Sequence, residues 1–153
     1  MDQGTIESAY APFAAALREG GFEAPADGWP AELVAAHVSR NNDLISEVAE
    51  RVVAGGQPTY DNGAAVDEAE LRTFADRAGG LSGLAAFVEA SARRLARAWG
   101  ALDETSGGYM VPAVIVDSGR VVRDAPIALS SLIEGNVSFH LDMHLEQLKA
   151  LRP

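Results

Sequence analysis

Cysteine is missing from this chain altogether. That absence excludes disulfides, thiolate metal ligands and a cysteine nucleophile. Basic residues are scarce as well: 12 Lys and Arg stand against 22 Asp and Glu, which leaves a net charge of −10. Such a surface repels a phosphate backbone, and the densest basic cluster, Arg93, Arg94 and Arg97, falls on one expected helix as a solvated or ion-paired face. Nucleic-acid binding is therefore disfavoured. No apolar run is long enough to span a bilayer. The opening MDQGTIESAY lacks the basic start and apolar stretch of a secretory signal. The sequence reads as a cytoplasmic protein without a membrane segment. Also missing are a G-x-S-x-G elbow, a phosphate loop and a dinucleotide fingerprint.

What is present suits a single domain over residues 1–153, long enough to bury a core and 48% apolar. Alanine dominates the apolar set, and with Leu, Glu and Arg it favours helix. Ile6, Tyr10, Phe13 and Leu17 recur at helical spacing and define a first helix from about Ile6 to Leu17, stopped at Gly20-Gly21. Trp29-Pro30 opens a second, with proline in its first turn, running to Ala54 and ending at Gly55-Gly56. Its apolar face is Val34, Ile45, Val48 and Val52, with Leu44 alongside. QPTYDNGAA, residues 57–65, is turn-rich, and Tyr60-Asp61-Asn62 reads as an Asx-type turn or as a flap over a site. Asp67 with Glu70 predicts a capping box for a short helix to Ala78. After Gly79-Gly80, Ser82 is the expected cap of a helix showing Leu84, Phe87, Val88, Leu95, Trp99 and Leu102 on one side.

The period then changes. Val114–Val116 and Val121–Val122 flank Asp117-Ser118-Gly119-Arg120, a hairpin pattern. Asp124 and Pro126 announce a last helix from about Ala125 to Leu151. The expected fold class is all-α: a four-helix bundle with a short extra helix and a small β-hairpin before the last helix.

All three histidines fall on predicted core-facing stripes. With about 100° per residue, Leu129, Ile133, Asn136, His140, His144, Gln147 and Leu151 share one side of the last helix. The i, i+4 spacing of His140 and His144 puts both rings where two imidazoles can share one ion. In the second helix His37 lies with Val34, Ile45, Val48 and Val52, and Asn41 follows one turn on. A buried neutral imidazole needs a partner for its ring nitrogens, and one divalent ion satisfies three rings at once. Histidines packed in a core without an ion are the other reading of the same pattern. Asn41 and Asn136 are candidates to hold the outer ring nitrogens. Glu134 and Asp142 flank the histidine face as candidate proton acceptors. Three imidazoles suit zinc, nickel, copper and iron alike.

Four stretches taken together carry a resemblance over nearly the whole chain: GWPAELVAAHVSRNNDL from Gly28, PTYDN from Pro58, RAGGLSGLAAF from Arg77, and VSFHLDMHL from Val137. In these the chain resembles the DinB/YfiT-like metalloenzymes, and in particular the N-terminal domain of mycothiol-dependent maleylpyruvate isomerase. The resemblance implies a DinB-like four-helix bundle in which His37, His140 and His144 bind a divalent ion, zinc or nickel foremost. It also implies a low-molecular-weight thiol such as mycothiol as co-reactant with a small-molecule substrate. In the isomerase branch the first member of the paired ligands is often glutamate, where this chain has His140. The isomerase also continues into a C-terminal domain that contributes to its active site. The expected function is thus a metal-dependent, thiol-using transferase or isomerase; a metal- or small-molecule-binding bundle without turnover is the alternative. An Ala-rich outer face leaves room for a homodimer.

Overall fold

Helix α2 (Ala31–Val53) is the element around which the chain is arranged in this computed structural model, which describes residues 1–153. Fifteen of its 23 residues are buried, far more than the single stripe a helix shows when it packs on one side. The reason is side-chain size. Ala31, Ala35, Ala36, Ser39, Ser46 and Ala49 are short enough to let neighbours close in between the Val and Ile positions. Pro30 is the cap residue, one position before the first turn expected for it; its carbonyl takes the N–H groups of Leu33 and Val34.

Helix α1 (Gln3–Glu19) is capped by Asp2, whose carboxylate accepts from the Thr5 N–H at 2.7 Å. It packs along α5 (Leu81–Gly100), and α5 packs in turn on α2. Ile6, Tyr10, Phe13, Leu17, Leu84, Val88 and Leu95 are all buried in the shared core, whereas Phe87 turns out toward Phe74 and is exposed. Between α2 and α5 lie α3 (Gly63–Val66) and α4 (Glu68–Ala78). Asp67 caps α4 through the Glu70 N–H, but Glu70 does not reciprocate, so only half of the expected box forms. Ser82 does not cap α5. Gly79 and Gly80 both take positive φ (72° and 110°), which turns the chain into the helix two residues earlier and leaves Ser82 already helical.

After α6 (Glu104–Gly107) come four short strands: β2 (Met110–Val111), β3 (Ala113–Asp117), β4 (Arg120–Asp124) and β5 (Ile127–Ala128). The expected hairpin is β3–β4, turning at Ser118-Gly119, both with positive φ as a two-residue hairpin turn requires. Tyr60–Asp61 forms a short strand, β1, parallel to β3, in a three-stranded sheet of order β1-β3-β4, and the expected Asx turn follows at Asp61. Residues Ile127 and Ala128 belong to β5, which pairs antiparallel with β2. The last helix therefore starts at Leu129, four residues after the start expected for it, because this pairing takes up the backbone groups that a first helical turn would need.

From Leu129 the chain is one rod: α7 (Leu129–Gly135), a π-helical turn (Asn136–His140) and α8 (Leu141–Ala150). Helices make up most of the chain, and none is long and apolar enough to cross a membrane.

Candidate metal centre

The π turn decides how the last helix meets α2. Its widened ring closes with the Leu141 N–H on the Asn136 carbonyl, one residue more than an α-helical turn holds. Everything downstream is rotated back by about 100°. Before the turn Leu129, Ile133 and Asn136 are buried, as the constant 3.6-residue period expects. After it the core positions pass to Leu141 and Leu148, where that period assigned His140, Gln147 and Leu151. His140 is thereby moved to the border of the core and is half-buried, while His144 stays inside.

The three histidines nonetheless meet. His37 Nε2 lies 2.8 Å from His140 Nε2, and His144 Nε2 lies 3.2 Å from the same atom. One ligand atom from each ring can be chosen so that all lie within 4.8 Å of one another. His37 Nδ1 donates to the Ala65 carbonyl at 2.5 Å, and His144 Nδ1 donates to Gln147 Oε1 at 2.8 Å. With the proton on Nδ1, the Nε2 of each of these rings carries its lone pair inward. A single Nε2–H on His140 can serve one of the two close contacts and leaves the other ring's lone pair without a donor. A cation serves all three.

Burial, followed by the neighbouring His144 charge, pushes the His37 pKa down to about 4, against smaller upward pulls from the Ala65 carbonyl and Asp117. Burial and the other two histidines push His140 to about 3. Burial also lowers His144, offset in part by Gln147. All three rings are neutral near pH 7, the form in which imidazole is a ligand. Tetrahedral zinc, with Zn–N near 2.1 Å, sets its nitrogens about 3.4 Å apart. The 2.8 and 3.2 Å separations are about 0.6 and 0.2 Å short of this. The donor set fits a borderline-soft divalent ion.

The partners that orient the rings are not the expected ones. Asn41 and Asn136 touch no histidine. Instead Asn41 Nδ2 donates to Asn136 Oδ1 at 2.8 Å, and Asn136 Nδ2 donates to Asn42 Oδ1 at 2.8 Å and to the Tyr10 hydroxyl at 3.1 Å. Tyr10 also donates to Asn42, and Tyr60 donates to Asn41 Oδ1 at 2.5 Å. This network crosses from α1 through α2 to the π turn, entirely buried. Glu134 and Asp142 are exposed and bond to neither ring. Ala65 was out of reach of sequence reasoning, since a backbone carbonyl carries no side-chain signature. Gln147 had a signal: it sits three residues beyond His144, one helical turn away.

Trp29 packs its half-buried ring 5.2 Å from that of His37 and screens one side of the cluster. Asn62 ties the adjacent sheet down, donating to the Val116 carbonyl at 3.0 Å and accepting from its N–H at 2.7 Å. Asp61 accepts from the Gly63 N–H, the Asx turn expected at this point, and so starts α3, which carries Ala65. On the His140 side a cavity of about 390 Å³ opens between α2, the sheet and the last helix.

Fold and cluster together define a mostly helical protein with three imidazoles that could hold one metal ion. The chain belongs to the family of the mycothiol maleylpyruvate isomerase N-terminal domain, whose model matches residues 5–123. That match includes His37, Tyr60 and all but the last residue of the β3–β4 hairpin, and stops short of His140 and His144. No curated protein and no solved structure matches the chain.

Proposed function

We propose that this chain is a single-domain DinB-like four-helix bundle whose His37, His140 and His144 hold one divalent ion, zinc or nickel. In this reading it is an enzyme of transferase or isomerase type that uses a low-molecular-weight thiol such as mycothiol on a small-molecule substrate. The observation that carries the reading is the convergence of three Nε2 atoms, two of them with lone pairs aimed inward by Nδ1–H bonds to Ala65 and Gln147. Family membership supports the thiol. When bound, the ion supplies the positive charge that keeps a thiol in its thiolate form beside an electrophile.

The chain's own residues do the rest. Ala65 and Gln147 fix the tautomers of His37 and His144, so neither ring must exchange a proton before binding. Trp29 closes the His37 side. His140, the one half-buried ring, faces the cavity and gives reactants a single side of approach. Three protein ligands leave a coordination position open, as catalytic sites do.

Elemental analysis of tag-free protein beside a His140→Ala/His144→Ala variant tests the site. One equivalent of a transition metal in the wild type and none in the variant is the expected result. No metal after incubation with zinc and nickel overturns it. Turnover is tested separately, by thiol-dependent consumption of an electrophile such as 1-chloro-2,4-dinitrobenzene, lost in His140→Ala. Metal retained without turnover across a thiol and electrophile panel moves the protein to the non-catalytic binding class.

A further inference from the structure

The cavity beside His140 has a composition that says what it accepts. Its walls are Ile45, Ile115, Ile127 and Leu132, with exposed Phe139 at the mouth, and its volume of about 390 Å³ suits a small molecule. No Lys, Arg, Asp or Glu lines it. Arg123 stands opposite Ile115 across the hairpin, but it is exposed and its guanidinium is directed at the Pro126 carbonyl, 3.5 Å away. The whole chain carries a net charge of −10. A carboxylate entering this cavity gives up its water against apolar walls and meets no cationic side chain there, so an ion held at His140 is its one counter-charge.

The polar atoms at the floor are uncharged and only partly used. Asn41 spends one N–H on Asn136 and keeps the second. The Tyr60 hydroxyl donates to Asn41 and keeps its acceptor lone pairs. Together they offer one donor and one acceptor to a neutral head group. Asn136 is spent: its Nδ2 has two acceptors and its oxygen one donor.

We infer that this cavity takes an uncharged, apolar-bodied small molecule, held by a hydrogen-bonding head at Asn41 and Tyr60 next to His140, and that with no ion at the histidines it binds the matching carboxylate more weakly. The inference deepens the function proposed above by naming the class of the electrophilic substrate, and it rests on that reading for the substrate role alone.

Benzamide and benzoate share one shape and differ in charge, so they are the probes. Both are titrated into metal-free ¹⁵N-labelled protein and followed by backbone and side-chain amide shifts, which keeps coordination of benzoate to an ion out of the measurement. Benzamide is expected to saturate and to move the Asn41 side-chain signal, with benzoate about tenfold or more weaker. Leu132→Trp, which fills the cavity, should abolish the benzamide shifts. Ser131→Arg, which adds a cation to the exposed rim of the same cavity, should raise benzoate affinity about tenfold. Equal or tighter benzoate binding to the wild type overturns the inference. So do benzamide shifts that persist in Leu132→Trp, or the absence of saturable benzamide binding. A protein that binds no metal leaves these titrations unchanged, so the two proposals fail separately.

Discussion

Two helix contacts in this molecule are built from opposite kinds of side chain. Between α1 and α5 the interior is Ile6, Phe13, Leu17, Leu84, Val88 and Leu95, each at most 1% exposed. Between α2 and the last helix it is His37, Asn41, Asn42, Asn136, His140 and His144. The first contact depends on area and volume, and hydrophobic burial has no preferred direction. The second depends on direction: its amides are hydrogen-bonded to one another and to Tyr10 and Tyr60, and displacement of one leaves another unsatisfied. The first is filled. The second stops short of closure and keeps a cavity of about 390 Å³ at its edge. One side of α2 and its neighbours supplies stability, and the other trades packing for chemistry.

The contrast predicts where substitutions hurt. Phe13→Ala should have the largest effect on the fold, about 3–5 kcal/mol by urea unfolding, because it leaves a void at the centre of the apolar contact. Metal stoichiometry in the folded fraction should not change. A loss of metal there would break the separation of the two contacts.

Metal addition should act on the other contact only. At one hundred times its dissociation constant an ion that binds the native state alone adds about 2.7 kcal/mol. The wild type should gain this in thermal unfolding, and His140→Ala/His144→Ala should gain nothing. Equal stabilisation of both would mean that the ion binds elsewhere, at surface carboxylates.

Asn136→Ala should cost about 1–3 kcal/mol although it removes little apolar area, since it takes a donor from Asn42 and from Tyr10 and an acceptor from Asn41. An effect within a few tenths of a kilocalorie would show that water replaces the side chain, and that the network is less dry than its burial implies.

The smallest expected effect joins α2 to α5 outside both interiors. Arg94 bonds both carboxylate oxygens of Glu50, at 2.8 and 2.7 Å, and holds the Glu50 pKa below its ordinary 4.5. A carboxylate lowered in this way stabilises the fold above its unfolded pKa, and the contribution is lost as pH falls through the lower folded value. Glu50→Gln should therefore cost under about 1 kcal/mol at pH 7, because the pair is largely exposed and screened. The difference from wild type should begin to shrink near pH 4.5 and vanish once the pH is below the lowered folded value.

Much of this was legible from local pattern. Ile6 to Leu17, the second helix and the Ser118-Gly119 hairpin were each readable from periodicity and punctuation within the segment itself. The three histidines were readable as inward-facing, and they do meet. What escaped were features in which a distant segment changes a local preference. Ile127 and Ala128 look like the start of a helix until Met110 and Val111 pair with them. Tyr60 looks like a turn residue until β3 runs alongside. Asn41 and Asn136 look like partners for histidines, yet α1 brings Tyr10 close enough to complete a different network. The π turn is the most consequential case, since one extra residue at Asn136–His140 hands two core positions to Leu141 and Leu148.

Composition and spacing alone established that helices would dominate, where glycine would break them, and that imidazole was the one nitrogen side-chain ligand for a borderline ion in a chain without cysteine. Those properties follow from composition and spacing, which act over a few residues. Only the tertiary structure decided which nitrogen of His37 and His144 turns inward, because the Ala65 carbonyl lies 28 residues along the chain from His37 and Gln147 depends on the rotation of α8. It also left His140 at a neutral, apolar cavity rather than within the core. The register of a helix against its neighbours is set by packing across the whole fold, and no local period encodes it.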